Sequence, residues 1–326
     1  MVRIFAFVCI LLSLFPATSL LAEGNGGFSG SFLRIGLGAR GMAMGNAQVA
    51  SAADGYGVYY NPAALPSLSD RQLALSYSNM SLDRKFNFVG FSLPLPPYAG
   101  AAAGWISSGV GNIRAYNSNG EDVGELEHGL HAFYGAFAVK VIALAQADGN
   151  LTNLPSDLIN IGVAVKFLRE GISDTEEFKY NGSGLGFDFG LLLNLHRNFS
   201  LGYQARDINS SLSSNTNDIF ERGSDLKNAF PLVQKLGAFF RTPLNGLALA
   251  YDFEWSDKGE EKHHLGAELT TAIAAGRAGY DSDHFTLGGG LIFKASKRIS
   301  MKLDYAFVDD VEDEGISHVF SWQFLF

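Results

Sequence analysis

The stretch Gly315-Ile-Ser-His-Val-Phe-Ser-Trp-Gln-Phe-Leu-Phe326 decides the fold. Counting back from Phe326, every second residue is bulky: Phe324, Trp322, Phe320, His318 and Ile316. Between them lie Gln323, Ser321 and Ser317, interrupted only by Leu325 and Val319. A strand points successive side chains to opposite faces, so this segment has one greasy face and one largely polar face. A soluble sandwich would bury the aromatic face. A chain that ends on it, with no polar tail, fits the closing strand of a membrane barrel whose outer face meets lipid.

Working outward, residues 71–326 parse into alternating segments separated by turn residues. They fall at 71–82, 84–95, 98–110, 129–144, 158–169, 183–196, 198–207, 232–241, 246–255, 262–270, 272–281, 284–294, 299–307 and 315–326. The predicted class is all-β: a transmembrane antiparallel β-barrel of about 14 strands, an even number as in single-chain bacterial barrels. Leu185, Phe187, Phe189, Leu191, Leu193 and Leu195 share one face, opposite Gly186, Asp188, Gly190 and Asn194. Segment 84–95 loses phase near Gly90, where a bulge is expected. With both termini periplasmic, short turns at 94–97, 196–198, 242–246 and 296–298 alternate with longer external loops at 111–128, 170–182, 208–231, 256–261 and 309–314. The connection 145–157 breaks this rule and is expected to hold an irregular excursion or a short helix.

Composition agrees: 47% hydrophobic, 13% aromatic and 38 glycines, with apolar residues spread over alternate positions rather than long runs. The start differs. One positive charge at Arg3, the apolar run Ile4–Leu21 and the small Ala22 read as a cleavable signal peptide over 1–22. After Leu21 no apolar run is long enough for a helical span, so a membrane location requires a closed barrel. The lone cysteine, Cys9, falls in the leader, which removes disulfides and thiolate metal sites from the mature chain. A net charge of −9 argues against nucleic acid as a partner.

Ahead of the barrel lies Phe32-Leu-Arg-Ile-Gly-Leu-Gly-Ala-Arg-Gly-Met-Ala-Met-Gly-Asn-Ala47, followed by Ala53-Asp-Gly-Tyr-Gly-Val-Tyr-Tyr-Asn-Pro-Ala-Ala-Leu65. Gly36, Gly38 and Gly41 spell G-x-G-x-x-G, but no βαβ unit surrounds them, so a dinucleotide site is not expected. The small residues 39–47 predict a short packed helix, and Asn61-Pro62 a rigid turn. The pattern resembles the opening of PorV/PorQ proteins within the FadL-like outer-membrane barrels. Gly162–Phe167, Gly184–Leu191 and Leu303–Phe307 extend the resemblance over most of the mature chain. It implies that residues 23–70 fold into the barrel 71–326 as a hatch or plug, with Gly38, Arg40, Gly45, Asp54, Asn61 and Pro62 shaping it. The C-terminal aromatics Phe320, Trp322, Phe324 and Phe326 resemble the signal that hands such proteins to the barrel-assembly machinery.

If the aromatic faces meet lipid, the other faces line the lumen: Lys166, Asp188, Gln204, Arg206, Lys235, Asp252, Glu254, Glu268, Arg277, Lys302 and Asp304. Inward charges of both signs are expected to pair and pin the hatch, rather than to filter substrate. No enzyme is expected: there is no G-x-S-x-G, and His263 and His264 face opposite ways on one strand, which excludes shared metal ligation. No catalytic residue, metal or cofactor is assigned. The resemblance implies an integral outer-membrane protein acting as an accessory or shuttle in protein export of the type IX kind, with a secretion translocon and its cargo as partners. Its alternative is FadL-like passive transport of hydrophobic or amphipathic small molecules.

Overall fold

The computed structural model describes residues 27–116, 119–149, 153–173, 179–215, 224–296, 298–309 and 315–326. The expected signal peptide and the acidic run 310–314 lie outside the described residues.

The strands are β1 Gln72–Asn79, β2 Arg84–Leu95, β3 Ala99–Tyr116, β4 Asp122–Lys140, β5 Ile159–Ser173, β6 Lys179–His196, β7 Phe199–Asn215 and β8 Asp225–Ala229. They continue as β9 Val233–Arg241, β10 Leu247–Ser256, β11 Glu261–Thr270, β12 Ala274–Asp281, β13 His284–Lys294, β14 Ser300–Asp309 and β15 Ile316–Leu325. All but β8 and β9 pair antiparallel with their chain neighbours, and β15 closes on β1 from Gln72↔Leu325 to Asn79↔His318. Beyond it, Phe326 and Arg71 exchange two backbone hydrogen bonds of 3.0 and 3.1 Å. β8 and β9 follow one another along β7, interrupted at Phe230-Pro231-Leu232, so the closed barrel has fourteen staves. Pro231 has no N–H to offer a ladder, which fits the break.

The alternation reads outward as expected. Ile159, Ile161, Val163, Val165 and Phe167 face out on β5, and Phe320, Trp322 and Phe324 face out on β15. Gln323 and Ser321 face in, at 1% and 0% exposure.

Three expectations need correction. β2 keeps perfect register with β1 and β3 through Gly90, with no bulge: Phe86 and Phe88 simply point into the lumen while Val89 and Phe91 point out. Irregularities fall elsewhere: the β6–β7 pairing slips three times, two of them around the left-handed residues Asp207 and Asn209, and β3 shifts against β4 beyond Val110. In addition, much of the loops 111–128, 170–182 and 208–231 is strand. β3–β8 run on past the last β2–β3 pair, Arg84↔Val110, and form a raised half-wall at the loop end. Last, the strand expected over 129–144 ends at Lys140, and a short helix, Val141–Ala147, leads into the 145–157 connection at the opposite, turn end.

Candidate functional site

Residues 28–68 lie inside the barrel. Two short helices, Ala39–Ala43 and Gly57–Tyr60, and two 3-10 turns, Ser31–Arg34 and Pro62–Ser67, carry nearly all their side chains buried. The segment starts at the loop end, where the Phe28 ring lies 5.2 Å from Lys258 Nζ, and leaves at the turn end to become β1. Lengths this short leave many backbone groups without helical partners, so the wall must supply them.

Close approach is the first requirement. Gly45 has φ 59°, and a Cβ there would strike the carbonyl oxygens of Tyr280 and Leu265 on the wall. Gly38 has φ 74° and lies flat against the Tyr56 ring. Both positions are closed to L side chains, by conformation and by space. Near the turn end Asn61 caps the second 3-10 turn through Ala63 N–H (3.0 Å) and donates to Val49 O (2.7 Å) and to Leu191 O on β6 (3.2 Å). Pro62 starts that turn at a position where its missing N–H is not needed.

Most of the side-chain polar grip comes from β10–β15. Arg40 donates through Nε and Nη2 to Glu268 on β11 (3.0 and 3.1 Å), and through Nη1 to Gln48 (2.8 Å) and Asp54 (3.1 Å). Glu268 is held in turn by Arg277 Nε (2.6 Å), whose Nη1 reaches Asp304 (2.7 Å). Asp252 accepts the backbone N–H groups of Gln48 (2.8 Å) and Val49 (2.9 Å). Ser321 accepts from Ala39 N–H at 2.7 Å, and Asn46 donates to Asp281 at 2.6 Å. His264 Nδ1 lies 2.9 Å from Gly45 O and 2.8 Å from Asp281, so this nitrogen carries the proton.

Small clusters of Met42 and Ala43 with Val308 and Val319, and of Met44 with Phe239 and Ala250, add packing on this side, but the largest packed cluster is on the opposite side. Phe32, Leu33, Tyr56, Val58, Tyr59 and Leu65 form one buried cluster with Phe86, Phe88, Ile106, Tyr134 and Leu168 of β2–β5. Tyr59 donates to Leu33 O at 2.8 Å, and its backbone carbonyl takes Gln204 Nε2 at 2.7 Å.

Not every inward charge touches the segment. Lys166 pairs with Asp188 (2.7 Å) and Asp207 (2.5 Å), all on the wall and almost fully buried. Asp207 joins them only because the β7 slip turns it inward beside Arg206, so strict alternation could not find it. Lys235 pairs with Glu254 at 2.6 Å, and Arg206 approaches Glu254 at 3.5 Å while lying over the Tyr59 ring at 5.2 Å. Lys302 shares the inward face of β14 with Asp304 but is only half-buried, near the turn end. Among the C-terminal aromatics, Phe320 is exposed on the outer face and Phe326 stacks on Phe91 at 6.3 Å.

Above the segment, toward the loop end, is a cavity of about 370 Å³. Arg34, Ile35, Asn46, Tyr59 and Tyr60 of the inner segment bound it on one side, and Arg206, Lys235, Glu254, Lys262, His264 and Asp281 on the other. A second space of about 200 Å³ meets it at Ile35, Met42, His284 and Val308 and is lined further by Met80, Val319, Ser78 and Arg84. The first compartment is charged, and the second is more apolar although Asp309 and Ser317 also line it. Sequence reasoning missed Asn46, Tyr60, His284 and Asp281; only their parity on the strands or their place in the Gly-rich motif marked them. No group of three or more His, Cys, Asp or Glu side chains suited to a metal occurs among the described residues.

No protein-family model matches the chain, and no curated protein does so significantly. Solved structures do match in fold. The Pseudomonas putida toluene transporter TodX aligns with a TM-score of 0.62 at 14% identity, over 89% of this chain and 99% of its own. The Ralstonia pickettii toluene transporter TbuX gives 0.60 at 14%, over 89% and 98%. A Pseudomonas aeruginosa FadL homologue gives 0.58 at 11%, over 89% and 98%. The chain therefore has the fold of FadL-like outer-membrane barrels.

Proposed function

We propose that this chain is an outer-membrane barrel that admits small amphipathic molecules past a hatch formed by residues 28–68. The membrane location is supported by the outward apolar belt: five alternating residues on β5, Ile159 to Phe167, match the roughly nine to eleven residues that a tilted strand needs to cross a bilayer. The observation that carries the transport reading is the cavity shared between the inner segment and the wall, which a shift of the segment toward the turn end would enlarge. Its charged compartment and apolar annex favour a molecule with a polar end and an apolar end over the hydrocarbons carried by TodX and TbuX. In this reading Arg40 and Asp54 hold the hatch, and the C-terminal aromatics serve assembly of the barrel into lipid.

The test is uptake by liposomes that contain the purified barrel, using short-chain amphiphiles and toluene as probes. Faster entry of the amphiphiles than into empty liposomes is expected, and no entry of any probe refutes the reading. The export role implied by the PorV/PorQ resemblance is the second reading. What favours it is the raised half-wall of β3–β8, a surface on which a protein partner can dock. Cross-linking in native membranes followed by mass spectrometry decides between them: recovery of a giant translocon barrel and its cargo supports export, and recovery of the barrel alone supports transport.

A further inference from the structure

The outer wall carries a polar patch where the apolar belt stops. Val89, Trp105, Phe133 and Phe167 lie side by side on β2–β5 and face outward, with the Trp105 and Phe133 rings stacked 6.0 Å apart at 3°. The next outward row toward the loop end is Asn87, Ser107, His131 and Arg169, again side by side. Lys85 stands one outward position beyond Asn87, flanked by Asn79 and then His318 on β1 and β15. All of these polar side chains can donate a hydrogen bond, two are permanently cationic, and none is a carboxylate. Lys85 and Arg169 are exposed, and neither makes an ion pair or hydrogen bond among the described residues.

The surroundings make the patch an exception. Elsewhere the loop end mixes both signs, with Glu121, Asp122, Glu125, Asp225, Glu260 and Glu261 beside Arg114, Lys227, Lys258 and Lys262, whereas these outward rows hold cations without a carboxylate among them. Lys85 and Arg169 sit three strands and one outward row apart, roughly 16 Å at the usual strand spacing and rise. That separation is too wide for a single carboxylate to bridge, and it suits a broad headgroup bearing phosphate. The geometry points to a lipid site: the patch holds the phosphorylated headgroup of a glycolipid in the loop-side leaflet, with an acyl chain lying on Trp105, Phe133 and Phe167. Cations at the edge of an apolar belt attract anionic headgroups while the aromatic rings take the hydrocarbon. The inference rests on the membrane reading above.

The test titrates the full-length, detergent-purified barrel with diphosphoryl lipid A and with its dephosphorylated form, read by native mass spectrometry. The K85A/R169A double variant serves as the comparison, and its folding is checked by heat-modifiable migration. Wild type is expected to hold the phosphorylated lipid about tenfold more tightly than the dephosphorylated one, and the variant to hold both alike. Equal binding of the two lipids by wild type, or undiminished discrimination in the variant, overturns the site. A folded barrel that inserts into bilayers yet does not discriminate removes only this proposal. A chain that enters neither micelles nor bilayers removes the membrane reading as well.

Discussion

The two halves of the barrel hold the inner segment by different physics. On the β2–β5 side the contact is apolar, with Phe86, Phe88, Ile106 and Tyr134 packed against Tyr56, Val58, Tyr59 and Leu65. On the β10–β15 side small apolar contacts of Met42, Ala43 and Met44 with Val308, Val319 and Ala250 are joined by hydrogen bonds and ion pairs through Asp252, Glu268, Asp281 and Ser321. Apolar contact is non-directional and tolerates sliding, whereas the polar set works only in one register. Water entering the lumen can replace hydrogen bonds group for group but cannot replace apolar packing. The hatch proposed above is therefore expected to release first on the polar side and to stay attached on the apolar side.

Substitutions can break or sharpen that contrast. The largest effect is expected at Gly45, where Gly45→Val drives a side chain into the wall backbone at Tyr280 and Leu265. The segment then cannot seat, and the heat-modifiable band of the folded barrel should be lost from gels. Phe88→Ala comes next, since Phe88 is 1% exposed and packs 5.4 Å from Tyr56. It should lower stability in urea by about 3–5 kcal/mol. If instead Phe88→Ala costs no more than a surface change, the apolar side is not the anchor. Asp188→Asn acts on the wall alone, because Asp188 binds Lys166 and the Asp207 N–H and nothing in the inner segment. A loss of about 1–3 kcal/mol with unchanged conductance is expected. This replaces the expectation that Asp188 helps to pin the hatch. The smallest effect belongs to Ser321→Ala, which leaves Ala39 N–H without its acceptor and should cost about 1 kcal/mol in the same urea titration.

Much of the barrel was legible because alternation is a local rule. Leu185 to Leu195 and Phe320 to Phe324 declare their outer face without reference to anything distant. The misread places share a cause. Phe86 and Phe88 are aromatic yet face inward, because here the lumen is filled by an apolar segment and is no longer the polar side. Asp207 escaped because a slip in register turns two consecutive residues to one face, and nothing in Arg206-Asp-Ile-Asn209 announces it. The upper strands were read as loops because Gly109–Gly111 and Asn112 interrupt the pattern there, although the ladder between β3 and β4 continues past them with a shift. At the candidate site, the charged residues were visible by parity, while their pairing was not. Which carboxylate Arg40 meets depends on how an irregular chain threads a closed wall.

The most direct measurement is planar-bilayer conductance of wild type beside Arg40→Ala, in barrels shown to be folded by heat-modifiable migration. Arg40 is the segment's charged side chain that pairs with the wall, through Glu268, while also holding its own Gln48 and Asp54. Removing one member of such a buried ion pair is worth about 3–5 kcal/mol. Wild type should be closed or open only in rare events, and Arg40→Ala should open in frequent, larger steps. Conductance of the variant indistinguishable from wild type would contradict the claim that the polar side is the latch.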